Sequence, residues 1–389
     1  MEQGISSTDN IILVPKYFLP TIGGLQNFTL RLAKSLIAAK KLVFVLTPEP
    51  EPFRPWPIGN KPVIENLFVQ TFSEPRDQFW QKLPARVLRG KSSSILAIGL
   101  EDHSILDSQL KSLVSLQKEG FPAFLRVATT FDLKSRINLI RAIQLRKIGG
   151  LVVLNEAMLA EAMTLPAKIP HVHKLPNPVD SHEFQPSPSS VRFEVRTKFG
   201  LPMTTPVILS AGRLDPRKRL ELLIEATSLA SSEAVLWIVG DPASSCDLYP
   251  SKLIALAKQF LPNRTVFTPG LPDHMMPIIY GAANIFALTS RVEGLSNATL
   301  EAASTGLAIV AVAIPGVTEI AQHFNNYGFF LVTETVESIA TGLRKSLETS
   351  PSQSWRQSRE TALGHFSPER IANQYIEMFS HKRISKNTI

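Results

Sequence analysis

Short β-branched and aliphatic runs alternate with amphipathic stretches along the whole chain, and the alternation starts afresh half-way. Ile11–Pro15, Leu42–Thr47, Ile95–Ile98, Ala123–Ala128 and Leu151–Leu154 read as strands. Stretches of helical spacing lie between or after them, at Asn27–Ala39, Asp107–Glu119 and Leu133–Lys147. A second series of strands follows at Val207–Ser210, Val235–Val239, Val266–Phe267, Ile285–Ala287 and Ile309–Val312. Parallel strands need a crossover, usually a helix, so this alternation predicts α/β folding with a parallel sheet covered on both faces. Two series predict two doubly wound domains. Between them, Lys174-Leu-Pro-Asn-Pro-Val-Asp180 runs into a Pro- and Ser-rich stretch through Ser190, a composition suited to a linker. The boundary is therefore set near residue 180, giving domains 1–180 and 181–366. Sheets of this kind bind ligands outside the carboxyl ends of their strands, so a cleft faced by both domains is the expected site.

The other bulk properties narrow the function. The 389 residues include one cysteine, Cys246, so no internal disulfide and no thiolate metal cluster is expected. The eight histidines are scattered, with His171 and His173 alternating in an extended run, and no metal site is expected. No segment approaches the roughly 18 uninterrupted apolar residues of a membrane span. Met1–Asn10 is polar and lacks the features of a signal peptide, so the expected location is the cytoplasm. The net charge of +8 is uneven: residues 1–180 hold 22 Lys and Arg against 15 Asp and Glu, and the rest 19 against 18. A basic first half suits either general solubility or an anionic partner, such as a membrane surface or an acidic acceptor. No nucleic-acid-binding signature is visible. Arg76–Lys91 places Arg76, Lys82, Arg86, Arg89 and Lys91 among Phe79, Trp80, Leu83, Val87 and Leu88. It reads either as a basic amphipathic segment lying on an anionic membrane or as a short helix packed on the sheet, interrupted at Pro84.

Four local features converge on a phosphate-bearing ligand. Pro20-Thr-Ile-Gly-Gly-Leu25 stands between a strand and a helix, and Gly23 and Gly24 allow the backbone to approach a ligand closely. Ala211-Gly-Arg-Leu-Asp-Pro-Arg-Lys-Arg219 follows a strand directly, and Arg213 and Lys218 are suited to neutralising a leaving diphosphate. Gly240-Asp241 reads as a strand-end turn without a direct role. Most specific is Arg291-Val-Glu-Gly-Leu-Ser-Asn-Ala-Thr-Leu-Glu301, with Glu293 before a helix, Ser296 or Asn297 as its cap, and Glu301 inside it. A carboxylate can accept both hydroxyl hydrogens of a vicinal diol.

These residues resemble a family 4 retaining glycosyltransferase. The likeness is strongest over Val266–Ile320: Val-Phe-Thr-Pro-Gly270, Ser290-Arg-Val-Glu-Gly-Leu, Leu-Glu-Ala-Ala303 and Pro315-Gly-Val-Thr-Glu319. It is loose between residues 48 and 150, where this family places its acceptor site. The resemblance implies the GT-B architecture, two Rossmann-like domains facing a central cleft, and transfer of a sugar from a nucleotide-diphosphate sugar to a glycan or lipid-linked acceptor. It implies a catalytic set of Arg213, Lys218 and Glu293. For the donor it implies Gly23, Gly24, Thr268, Gly294, Leu295, Ser296, Asn297 and Glu301, with Pro269 beside Thr268 at the base. On the acceptor side it offers His103, a poor match to the family's polar residue. No cofactor and no metal ion is implied. The turn after Val239 reads Gly-Asp-Pro where the family has Gly-Asp-Gly, and Pro178 replaces a common glycine. Phe366–Phe379 reads as a closing amphipathic helix, Ser367 its cap, with residues from about 367 to 389 packing back on the first domain. The competing readings are a catalytically silent relative that binds glycans or a partner enzyme, and a GT-B epimerase.

Overall fold

The computed structural model describes residues 10–18, 23–48, 65–87, 93–129, 132–242, 248–349 and 353–381. Cys246, the Pro20–Ile22 part of the Gly-Gly loop, and Arg89 and Lys91 lie outside them. The chain divides into two units, one formed by Met1–Pro178 with Pro368–Ile389, the other by Val179–Ser367.

Among the described residues the first unit has seven parallel strands: β1 (Asn10–Pro15), β2 (Val43–Pro48), β3 (Leu67–Phe72), β4 (Ser93–Ile98), β5 (Ala123–Arg126), β6 (Gly150–Val153) and β7 (Val172–Lys174). Their spatial order is β3-β2-β1-β4-β5-β6-β7. The chain moves outward in one direction from β1 and then resumes on its other side at β4. This reversal creates the crevice typical of doubly wound sheets. The central strands are buried along their length, as helices on both faces require, and hence read as continuous apolar runs.

The last helix, Pro368–His381, completes the core of this unit. Ile371, Ala372, Tyr375, Met378 and Phe379 join Phe28, Leu32 and Phe124 in one buried cluster. The ring of Phe379 meets Phe124 edge-on at 5.4 Å. Arg126, at the end of β5, is fully buried beneath the same helix; its guanidinium lies 3.5 Å from the Phe28 ring centroid and donates to Asn177. Burial lowers its pKa from the ordinary value, and burial raises the Tyr375 phenol to about 12 against the opposing pull of Arg126.

Among the described residues the second unit has six parallel strands: β8 (Val207–Ala211), β9 (Val235–Val239), β10 (Thr265–Thr268), β11 (Ile285–Leu288), β12 (Ala308–Val312) and β13 (Phe329–Val332). Their order, β10-β9-β8-β11-β12-β13, repeats the reversal, now between β8 and β11.

Two sequence expectations are corrected. Leu133–Lys147 is not one helix but two, Asp132–Arg136 and Leu139–Leu145, because the Asn138 side chain accepts from Arg141 N–H and caps a new start. Pro84 does not interrupt its segment: the helix Arg76–Val87 runs through it. The proline lacks the N–H that would bond the Trp80 carbonyl four residues earlier, and the Ser112 hydroxyl donates to that carbonyl instead. Phe79, Trp80, Leu83 and Val87 of this helix are buried in the protein, so its apolar side is not a membrane face. Among the described residues, no helix is long and apolar enough to cross a membrane.

Candidate active site

In the second unit, the strand ends at the β8/β11 reversal are tied together by backbone. Gly240 follows β9 with φ +156°, and a Cβ there would lie 1.9 Å from the Gly212 carbonyl oxygen. Only glycine permits so close a crossing. Gly212 N–H donates to Val239 at 2.9 Å, and Leu214 N–H to Asp241 at 2.8 Å. Asp241 also accepts from Gly270 N–H at 2.8 Å, which holds the turn after β10. The Gly240-Asp241 pair thus braces three successive strand ends.

The segment after β8 is correspondingly rigid. Asp215 accepts from Arg217 N–H at 2.9 Å and starts a short 3₁₀ turn, Pro216–Lys218. Burial alone would raise the Asp215 carboxyl, but hydrogen bonds from Arg217 and the charges of Arg217 and Arg213 hold it below its ordinary range. Arg219 turns the chain with φ +49° and pairs with Glu334 at 2.8 Å. The Thr289 hydroxyl donates to the Lys218 carbonyl at 2.7 Å, and Arg291 N–H donates to Arg217 at 2.8 Å. Lys218 is therefore held from both strands of the reversal, and its Nζ donates to Glu293 Oε1 at 2.5 Å. Arg213 is exposed beside it. Arg213, Lys218, Ser210, Thr289 and Ser290 line a shallow, open concavity.

The Glu293 segment runs into the helix Asn297–Ser304. Ser296, buried, is its cap: its hydroxyl accepts from Thr299 N–H at 3.3 Å and from the Thr299 hydroxyl at 2.9 Å. Gly294 and Leu295 are buried and Asn297 half-buried at this N-terminus, where the helix dipole favours negative charge. Glu301 lies one turn further in, buried, and accepts from the Tyr280 hydroxyl at 2.8 Å. Thr268, at the end of β10, is also buried and accepts from the Trp237 indole at 2.8 Å, while Pro269 beside it is exposed.

The structure thus brings Arg213, Lys218 and Glu293 to one strand reversal and places Ser296 and Asn297 at the helix start beside Glu293. Thr268 and Glu301 are set deeper, each engaged by an aromatic side chain. In the first unit, Gly23 precedes the helix Gly24–Ala38 in extended conformation, and Asn27 N–H donates to its carbonyl at 3.1 Å. His103 is exposed after β4, with Nδ1 3.2 Å from an Arg141 nitrogen. Sequence reasoning missed Ser290, whose hydroxyl is buried, has no hydrogen-bond partner among the described residues, and lines the concavity with Lys218. A small polar residue two positions after an apolar strand was the available signal. Among the described residues, no group of three or more His, Cys, Asp or Glu could hold a metal ion.

Residues 191–361 match the family model described as Glycosyl transferases group 1. This segment belongs to that family. The group 1 domain so defined contains every strand of the second unit and all of the Arg213–Glu301 arrangement. Curated relatives match part of the chain. A D-inositol 3-phosphate glycosyltransferase of Xylanimonas cellulosilytica is 30% identical over 158 residues, which is 40% of this chain and 38% of that protein. Across the relatives, the chain spans between 29% and 53% of their length. The fold likeness is more extensive. Sucrose-phosphate synthase of Thermosynechococcus elongatus superposes with a TM-score of 0.78 at 18% identity, over 97% of this chain and 100% of that one. The Anabaena protein HepE, solved in complex with UDP, gives 0.72 at 18% identity, over 96% and 100%. Around its group 1 domain the chain therefore has the two-domain GT-B fold.

Proposed function

We propose that the chain transfers a sugar from a nucleotide-diphosphate sugar to a glycan or lipid-linked acceptor, with retention of anomeric configuration. The carrying observation is the Lys218–Glu293 pair at the β8/β11 reversal, with Arg213 exposed at the same edge. The anomeric carbon's bond to the diphosphate oxygen breaks as the acceptor hydroxyl forms its new bond on the same face. The acceptor's proton passes to the departing phosphate, so no protein nucleophile enters. Arg213 and Lys218 neutralise the charge that develops on the diphosphate, an effect strongest where the donors are already in place. Here the loop is pre-organised by Asp215, Thr289 and the Gly212–Gly240 crossing. Glu293 and the Gly294–Ala298 backbone hold the sugar. Glu301, oriented by Tyr280, holds the ribose. Thr268 borders the base, Gly23 and Gly24 the donor phosphates, and His103 the acceptor. Because the basic pair supplies neutralisation, nucleotide binding is expected without added magnesium. The expected location is the cytoplasm, with the inner face of the membrane as a place of peripheral attachment. UDP is the first nucleotide to try, given the HepE complex.

Thermal unfolding with UDP, GDP, ADP, TDP and CDP, each with and without magnesium, tests this. A ligand at about one hundred times its Kd stabilises the folded state by about 2.7 kcal/mol. A selective rise with one diphosphate in the absence of metal is the expected result. No rise with any of the five would remove the transferase reading.

A further inference from the structure

The helix Leu139–Leu145 of the first unit has two unlike sides. Arg141, Ala142 and Leu145 face inward, Arg141 donating to Asp107 at 2.7 Å. Leu139, Ile140 and Ile143 face outward, 53%, 68% and 41% exposed. Three large aliphatic side chains on one short helix face are more than scattered surface apolarity requires. Arg146 and Lys147, both exposed, continue that face at helical spacing, Arg146 three residues beyond Ile143 and Lys147 four. Lys134, also exposed, precedes it. From Leu133 to Gly149 the chain has five Lys or Arg residues and no Asp or Glu.

An apolar tip rimmed by cations fits one class of surface, the headgroup boundary of an anionic bilayer. Aliphatic side chains enter the acyl region there while lysine and arginine meet lipid phosphates. We infer that residues 134–147 dock the first unit onto an anionic membrane surface. The face is an outer one, its inner side already engaged with Asp107, so docking requires no unfolding. The helix Arg76–Val87 cannot serve instead, because its apolar residues are buried. The inference goes beyond the transferase reading and stands whether or not that reading holds.

Co-sedimentation of the full chain with phosphatidylcholine vesicles, with and without phosphatidylglycerol, tests it. Binding to the anionic vesicles that weakens with added salt is expected. Ile140→Asp combined with Ile143→Asp should abolish it. Arg146→Gln with Lys147→Gln should lower the partition coefficient about thirtyfold, since each basic residue near such a surface contributes about fivefold. All four positions are exposed, and unchanged melting by circular dichroism will show the variants folded. Absence of binding to anionic vesicles, or equal binding by the variants, overturns the inference. So does a dimer in light scattering that Ile140→Asp dissolves, because a second copy would then cover the face.

Discussion

Glu293 Oε1 lies 2.5 Å from Lys218 Nζ, although 75 positions separate the two residues in the chain. The resting site thus neutralises its lysine with the carboxylate that the proposed reaction gives to the sugar. Binding of a diphosphate would draw the ammonium away and leave Glu293 to accept hydroxyls. The two residues should therefore fail differently when changed.

Lys218→Met should lower turnover roughly 10²–10³-fold and abolish the diphosphate-induced rise in melting temperature. Glu293→Gln should lose turnover comparably yet keep that rise, since it frees the lysine. The pair is partly exposed, so melting without nucleotide should change by about 1 kcal/mol or less in either variant. Steady-state kinetics and thermal unfolding on the same preparations separate these outcomes. A Lys218→Met protein with full activity would contradict the assigned role.

Ser290→Ala removes a buried hydroxyl that has no hydrogen-bond partner among the described residues. Its loss should leave the unliganded protein as stable as before, or about 1 kcal/mol more so. If the hydroxyl serves the ligand, the affinity for the diphosphate should fall severalfold, measured by isothermal titration calorimetry. Unchanged affinity would return Ser290 to the scaffold.

Gly240→Ala should be among the most damaging single changes in the second unit. The new Cβ would sit 1.9 Å from a backbone oxygen, and neither strand end can yield without breaking the Gly212 and Leu214 hydrogen bonds. A loss of about 3 kcal/mol or more is expected, or a melting shift on the order of 10 °C. Calorimetry will measure it.

Tyr375 makes the first unit sensitive to alkali. The unfolded phenol ionises near pH 10, while the buried one holds its proton to about 12. Between these values the unfolded state releases a proton that the folded state keeps, so stability falls as pH rises, by up to about 1.4 kcal/mol per pH unit. Below pH 10 the group contributes no such slope. Tyr375→Phe should match the parent at neutral pH to within about 1 kcal/mol and exceed it increasingly above pH 10, followed by denaturant melts across that range.

Central strands were legible because burial on both faces makes them nearly uninterrupted apolar runs; Val235–Val239 appears with the bounds read from sequence. Among the outer strands only β10 was, as Val266–Phe267. In β3 (Leu67–Phe72) only Leu67 is fully buried, and β7 has three residues, none fully buried. Such strands are defined by backbone pairing with a neighbour, which leaves little mark on composition. The site shows the same division. Arg213, Lys218 and Glu293 stood out as charged residues in glycine-bearing turns after strands. Tyr280 and Trp237, which engage Glu301 and Thr268, sit in ordinary apolar stretches, and only the fold reveals whom they touch.

The helix Pro368–His381 belongs to the first unit yet is synthesised after the whole of the second. On the ribosome, the second unit emerges as one uninterrupted segment and can mature while the first still waits for Tyr375, Met378 and Phe379 to fill its core. Until then, Phe28 and Phe124 present an open apolar surface and Arg126 an uncovered charge. The first unit is thus the part of the nascent chain whose core closes last, and a stop codon before residue 368 would leave it without its closing element, however intact its sheet.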